Sequence, residues 1–410
     1  MGSMIGRVYS AFVSPPSVTK RGDAIKFGIL GAANIAPMAL IDPAKSHPEV
    51  IIQAVAARDR EKADKYAKAN NIPEVKGSYQ EMLDDPNIDA IYIPLPNAYH
   101  YEWAVRSIHA GKHVLLEKPS VSNSIEAETL FNLPELSQPN GPILLEAFHT
   151  RFFPSWQYFQ SLVNPADVEH VHSKSMIPWW GTGKTDIFFN YNLSGGTIMS
   201  MGTYNLATLR LVFDAEPVEC LSCETHSFPE AEFKKIDNDF KATFRFPNGG
   251  TGVAESTLRG PTIWTPSSVV VTNREVIVPD DSLSPETEKV LKRVLSIQGI
   301  LFAILWHRID IKDTFIIRTK GKESKVIRSW TETKSHKAYT FKEAGGKFGG
   351  LPGETFWISY RHMLEQFVNK VKGRGTQTWV TGEDSIGQMK MVDMAYEKSG
   401  LGIRPTSNFK

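Results

Sequence analysis

Between residues 25 and 147, five short apolar runs, at 25–30, 50–57, 88–93, 113–116 and 143–147, alternate with segments of helical pattern. Runs this short are strands rather than helices, and near-continuous apolarity says that both faces are covered. Strands that alternate with helices of about 10–15 residues build a parallel sheet with its crossovers packed on both sides. Each run stops at a residue of turn or polar chemistry: Gly31, Arg58, Asn97, Lys118 and Glu146. In an open parallel sheet all such ends lie on one edge, the edge where ligands bind. The alternation thus sets the fold class, an α/β doubly wound parallel sheet (Rossmann domain), and says where to look for a site.

The first strand runs into Gly31-Ala32-Ala33-Asn34-Ile35-Ala36 and then Pro37, a small-residue turn before a helix that reaches about residue 45. This is a G-x-G-x-x-G/A dinucleotide pattern with Ala33 at the second glycine position and Ala36 at the third. Small side chains let the backbone approach a pyrophosphate, whose charge a helix N-terminus favours. The same residues also suit a turn used for packing alone. The second strand ends at Arg58-Asp59. There Asp59 suits a ribose 2′-hydroxyl and NAD, whereas Arg58 suits a 2′-phosphate and NADP. Arg58, nearer the strand end, favours NADP over NAD, though the same two residues also suit a solvated Arg-Asp pair at a helix start. The fourth run is His113-Val114-Leu115-Leu116, followed by Glu117-Lys118-Pro119. Pro119 ends the ladder, so Lys118 stands at the carboxyl end of the strand, where it can carry charge or move a proton.

Lys and Arg number 46 against 45 Asp and Glu, a net charge of +1, so there is no field for nucleic acid or an anionic membrane. The only cysteines, Cys220 and Cys223, form a lone CxxC. That points away from a disulfide framework and from zinc, and toward a reducing, cytoplasmic setting with no bound metal. No apolar run reaches membrane-spanning length; residues 297–306 come nearest and read as a helix packed on the protein or a second subunit. Met1-Gly2-Ser3 ahead of Met4 has the texture of a cloning remnant. Residues 5–20 read as a mobile or wrapping arm that ends at Pro15-Pro16.

Beyond Arg151 the texture changes. Strand patterns are expected at 169–176, 217–225, 240–246, 252–258, 268–271, 315–319 and 325–327, with helices at 154–163, 199–212, 286–304 and 356–371. The whole reads as an arm at 1–22, the dinucleotide-binding domain at 23–150 and an α+β substrate and dimerisation domain with a large, mostly antiparallel sheet at 151–380. A terminal segment, 381–410, is expected to pack a last helix, 385–399, back on the first domain.

These motifs together resemble the Gfo/Idh/MocA oxidoreductase family, over nearly the whole chain after the arm. The carriers are the turn at Gly31–Ala36, Val55-Ala56-Ala57-Arg58-Asp59 and Pro94-Leu95-Pro96-Asn97-Ala98-Tyr99-His100. Glu117-Lys118-Pro119, Glu146-Ala147-Phe148-His149-Thr150-Arg151, Gly195-Gly196-Thr197 through Tyr204, and Gly382-Glu383-Asp384-Ser385 continue the match. Within the family the chain is most similar to the tyrosine branch of dimeric dihydrodiol dehydrogenases, NADP-dependent D-xylose dehydrogenases and glucose-fructose oxidoreductase.

The resemblance implies an oxidoreductase that moves hydride between NADP and a hydroxyl or carbonyl of a sugar, cyclic polyol or dihydrodiol-like molecule. It implies Lys118 beside the nicotinamide and Tyr204 as the acid/base, its pKa lowered by the nearby ammonium. By itself Tyr204, among Met199, Met201, Leu206 and Leu209, reads as a core residue. Cofactor contacts are expected from Gly31, Ala32, Ala33, Asn34, Ile35, Arg58, Leu95, Asn97, His100, Glu117, Lys118, Glu146 and Arg151. Substrate contacts are expected from Lys118, His149, Tyr191, Ser200 and Tyr204. A homodimer is implied as well. Ser200 stands where the family has Asp, and Asn190 and Asn192 where related sequences carry acids. The site is therefore expected to suit a less polar substrate, or to serve a non-redox isomerase, lyase or cyclase that keeps the nicotinamide. A cofactor-binding sensor is the third reading, against which Lys118 and Tyr204 argue.

Overall fold

A computed structural model describes residues 4–409 apart from 184–185, 264 and 322–323; residues 1–3, with the Met1-Gly2-Ser3 segment read above, lie outside the described residues. Six strands form a fully parallel sheet: β1 (Ile25–Leu30), β2 (Val50–Ala56), β3 (Glu74–Lys76), β4 (Ala90–Ile93), β5 (His113–Leu116) and β6 (Leu144–Glu146). Their order is β3-β2-β1-β4-β5-β6. The chain winds one way from β1 and then the other, so the crevice beyond β1 and β4 is the topological switch point. The doubly wound sheet expected from the alternation is present.

Period-two burial explains both layers. Phe27, Ile29, Tyr92, Leu115 and Leu145 face one side, in a cluster with Leu40, Ile41 and Phe367. Ile91, Ile93, Val114 and Leu116 face the other, against Ala104, Ile108, Ala127 and Leu130. Phe367 belongs to the helix Ser359–Val371, and its ring lies 5.6 Å from that of Phe27. This helix, expected with the second domain, covers the first sheet.

The remaining strands are β7 (Val168–Pro178), β8 (Glu219–His226), β9 (Asp239–Arg245), β10 (Thr251–Gly260), β11 (Ser268–Asn273), β12 (Val276–Val278), β13 (Thr287–Gln298), β14 (Arg308–Thr319) and β15 (Val326–His336). They form a second, nine-stranded sheet in the order β15-β14-β13-β11-β7-β10-β9-β8, with β12 beside β13. It is antiparallel except where β7 meets β10. The helix Thr203–Phe213 packs Leu206 and Leu209 on its apolar face.

The helix expected over 286–304 is instead β13, followed by a turn at Ile300–Phe302. Val290, Leu291, Val294 and Leu295 mimic a helical stripe. Pairing with β11 on one side and all twelve residues of β14 on the other overrides that local pattern. Gly299, at φ +80°, ends the strand. The segment 297–306 therefore holds the end of β13, Ile297 and Gln298, followed by a turn. β14 and β15 also run well beyond the expected 315–319 and 325–327. β15 is exposed at nearly every position, so no apolar face marks it in sequence.

The arm wraps the body. Ala11 is buried and the Arg7 guanidinium lies 3.6 Å from the Tyr339 ring centroid. The helix Gly382–Ser399 packs against both the helix Ser124–Phe131 and β8. Beyond it, Arg404 is fully buried. Its Nε donates to the Gly195 carbonyl (2.9 Å), Nη2 donates to Asp237 (2.9 Å), and the guanidinium stacks on Tyr396 (3.9 Å). Asp237 in turn accepts from the Ile198 amide (2.6 Å). Removing one member of a fully buried ion pair strands the other charge. Arg404→Ala should lower the unfolding free energy by about 3–5 kcal/mol in urea titration; a loss below about 1 kcal/mol would show that Asp237 is not held by this charge.

Candidate active site in the switch-point crevice

A cavity of about 980 Å³ opens at the carboxyl ends of β1, β2, β4 and β5. That is the upper end of the range for small-molecule sites. Gly31, Ala32, Ala33, Asn34, Ile35, Arg58, Leu95, Asn97, His100, Glu117, Lys118, His149, Ser200 and Tyr204 all line it. Residues far apart in sequence thus converge on one space.

The turn after β1 is shaped for close approach. Gly31 sits at φ +97°, and a Cβ there would stand 3.0 Å from Leu95 Cδ2. The Tyr66 hydroxyl donates to the Ala33 carbonyl (2.9 Å) and pins the turn. At the end of β2, Asp59 accepts from the Lys62 amide (3.0 Å) as the cap of the helix Arg60–Asn70. Its Oδ1 serves that cap, and Arg58, Asp59 and Lys62 all line the cavity.

At the other end Lys118 is half-buried. Its Nζ donates to the Ser200 carbonyl (2.9 Å) and lies 4.8 Å from the Tyr204 ring centroid. Burial pulls its pKa down, against the pull of Glu117 and Glu146. Glu117 accepts from the Tyr92 hydroxyl (2.8 Å), and burial raises its carboxyl. Asn97 Nδ2 donates to the Ser194 carbonyl (3.0 Å) and bridges the two halves. The ring nitrogens of His100 lie 2.8 Å from the Pro119 carbonyl and 2.7 Å from the Leu95 carbonyl. Two carbonyl acceptors suit an imidazolium, while full burial pulls the pKa down to about 4. His100 therefore braces two turns against each other. His149, pushed down to about 3 by burial and by Lys118, is neutral, with Nδ1 2.7 Å from Ser359 Oγ.

Three expected site residues lie elsewhere. Glu146 is buried behind the site, accepting from the Ser120 amide (2.8 Å). Arg151 forms a two-pronged pair with Asp384 (2.9 and 3.1 Å) and ties the turn at His149–Phe152 to the last helix. Tyr191 lies between Lys235 and Arg404, both about 5 Å from its ring. Asn190 and Asn192 bond to each other beside it. Burial, with Glu117 adding to it, raises the Tyr204 hydroxyl well above its usual value, where the influence expected from Lys118 is a lowering. Tyr360, Ser359 and Phe12 line the cavity without having been expected there. Nothing in the sequence around Tyr360 separates it from an ordinary core tyrosine at a helix start.

A model of the oxidoreductase family with an NAD-binding Rossmann fold matches residues 25–138, and one of the GFO/IDH/MocA C-terminal domain matches residues 166–277. A D-xylose 1-dehydrogenase (NADP⁺) of Haloferax volcanii is 32% identical over 236 residues, 57% of this chain and 70% of that one. The chain belongs to the Gfo/Idh/MocA oxidoreductase family. A trans-1,2-dihydrobenzene-1,2-diol dehydrogenase of Xenopus tropicalis is 27% identical over 64% of this chain and 77% of its own. Other curated relatives are matched over as little as 55% of their length. Among solved structures, a 3-ketoreductase from Actinomadura kijaniata in complex with NADP and TDP-benzene superposes with a TM-score of 0.66. It is 18% identical and covers 92% of this chain and 98% of that one.

The buried Glu146 carboxyl is raised to about 7, chiefly by burial. A carboxyl with a raised folded-state pKa contributes fully below its ordinary value of 4.5 and loses that contribution as pH climbs through about 7. Glu146→Gln should match wild-type stability near pH 4.5 and exceed it at pH 8, by at most about 1.36 kcal/mol per pH unit between the two pKa values. Urea midpoints that fall in parallel for both proteins would refute this.

Proposed function

We propose that this chain is an NADP-dependent oxidoreductase acting on a hydroxyl or carbonyl of a small molecule. The supporting observation is the juxtaposition of Lys118 and Tyr204 at one end of a switch-point cavity whose other end carries Arg58 and Lys62. In this reading the backbone of Gly31–Ile35 cradles the pyrophosphate, and Arg58 and Lys62 take the 2′-phosphate. The nicotinamide, when bound, supplies the hydride acceptor or donor. Lys118 orients the reacting oxygen, and Tyr204 gives that oxygen a proton in reduction or takes one from it in oxidation. The relatives' names support NADP and a hydroxyl or keto substrate.

The apolar share of the cavity lining supports a carbon-rich substrate. Phe12, Phe153, Leu301, Phe302, Ile304 and Ile358 all line the cavity, while His149 and Asn97 are already committed to Ser359 and Ser194. A polyol would bury hydroxyls without partners, each costing about 1–3 kcal/mol. We accordingly expect cyclic ketones and diols to give higher kcat/KM than free aldoses, with reduced-nicotinamide absorbance as the readout. Cofactor binding with no absorbance change across the whole panel would shift the assignment to an isomerase, lyase or cyclase.

Lys118→Ala should abolish turnover while cofactor affinity falls far less; near-normal turnover would remove it from the chemistry. Arg58→Ala should weaken NADP by roughly tenfold or more, as for a charge-assisted hydrogen bond, and leave NAD nearly unchanged in fluorescence titration. Equal losses for both would mean that Arg58 does not read the phosphate. Dimerisation through the exposed outer part of β13–β15 belongs to the same proposal, and light scattering that reports a monomer would remove it.

A further inference from the structure

One part of the cavity wall comes from outside both sheets. Phe12 lines the cavity, yet it belongs to the arm that precedes β1. The arm is fastened on either side of that residue. Upstream, the helix Met4–Val8 carries Arg7, which is buried with its guanidinium 3.6 Å from the Tyr339 ring centroid. Tyr339 stands just beyond the last strand of the second sheet. Downstream, the Val18 amide donates to the Lys45 carbonyl (3.2 Å), and Lys20 Nζ donates to the carbonyls of Ala44 (2.6 Å) and His47 (2.9 Å). Ala44 and Lys45 close the helix that follows the Gly31 turn. The arm is thus a strap drawn from one half of the molecule to the other. Midway, Ala11 is buried in the apolar cluster of Phe153 and Ile304, and Phe12 and Leu301 pack against that cluster.

The upstream anchor tells which end of the cavity the strap serves. The Tyr339 ring meets that of His307 at 4.4 Å, and His307 meets Phe153 at 6.1 Å. Phe153 lines the cavity and ends the turn that begins at His149, whose ring lies 5.5 Å from that of Tyr204. Nδ1 of His307 is 2.8 Å from the Ala303 carbonyl, in the turn that gives Leu301 and Ile304 to the cavity. Five residues of helix advance the chain by only about 8 Å, so Phe12 stays close to this group of rings. We propose that Phe12 is a specificity-determining residue, whose ring walls the substrate space and limits the size of carbon skeleton that fits beside Lys118 and Tyr204. The inference rests on the oxidoreductase reading, and it adds that the arm, rather than either sheet, sets the limit. An apolar ring supplies no hydrogen bond, so it selects by volume and contact alone.

Cyclohexanone and the fused two-ring ketone 2-decalone probe that volume. Phe12→Ala opens the wall and Phe12→Trp fills it. The ratio of kcat/KM for 2-decalone to that for cyclohexanone should rise by about tenfold in Phe12→Ala and fall by about tenfold in Phe12→Trp, the scale on which apolar pockets discriminate. The change should lie in KM, with kcat and NADP affinity within about threefold of wild type. Val13→Ala, at the exposed next position, should leave the ratio unchanged. A ratio that moves the same way in Phe12→Ala and Phe12→Trp, or in neither, overturns the proposal, because a strap that only holds the fold together has no reason to respond to size in opposite directions. Wild-type protein that turns over neither ketone sinks the oxidoreductase reading instead. The wall is then read by saturation-transfer NMR with the same two ketones. Transfer to 2-decalone relative to cyclohexanone should grow in Phe12→Ala and shrink in Phe12→Trp. Equal transfer ratios in the three proteins, or no transfer in any, overturn it.

Discussion

The site depends on holding one half-buried lysine in place. Lys118 stands at the end of a strand with apolar neighbours on both faces, and a charge placed there is costly unless something holds it. Its partner is a backbone carbonyl, that of Ser200, contributed by the other half of the chain. A carbonyl cannot be protonated away or swing out of reach as a side chain can. The segment that offers it must therefore be fixed, and the surrounding structure is arranged to fix it. Asp237 takes the Ile198 amide, Arg404 takes the Gly195 carbonyl, and Gly196 at φ +127° leaves room for both side chains. The helix that carries Tyr204 follows without a break.

Much of this was legible in the chain before any coordinates. The five apolar runs and the residues that end them gave the parallel sheet and placed Gly31, Arg58, Asn97 and Lys118 on one edge, because strand periodicity and turn chemistry are local properties. The long strands β13 to β15 were not legible in the same way. β13 carries a stripe that suits a helix, and β15 has no buried face to reveal it; both owe their conformation to neighbours distant in sequence. Glu146 and Arg151 were assigned to the cofactor because they flank a matching motif. They turn out to support the site from behind, one under the Lys118–Ser120 corner and one against Asp384. A motif records which residues stand together in sequence, not which of them reach the cavity.

Tyr360 illustrates the opposite failure. It lies more than 150 residues beyond Tyr204, and its neighbours give it no special context. Only the return of its helix to the first sheet, where Phe367 meets Phe27, carries it to the cavity wall. The division into a nucleotide half and a substrate half is therefore incomplete, since each half lends side chains to the other's wall. Phe12, from the arm, does the same from the opposite direction.

The tail around Arg404 bears on how the protein comes into being. Asn123 donates to the Arg404 carbonyl and to Thr406, and the Ser407 amide donates to Glu126, so this stretch stitches a helix of the first sheet to the loop that precedes Tyr204. Every strand of both sheets has left the ribosome before residue 404 is added. A nascent chain can thus form its two sheets during synthesis, whereas the bonds from residues 404–407 can form only once that stretch has emerged.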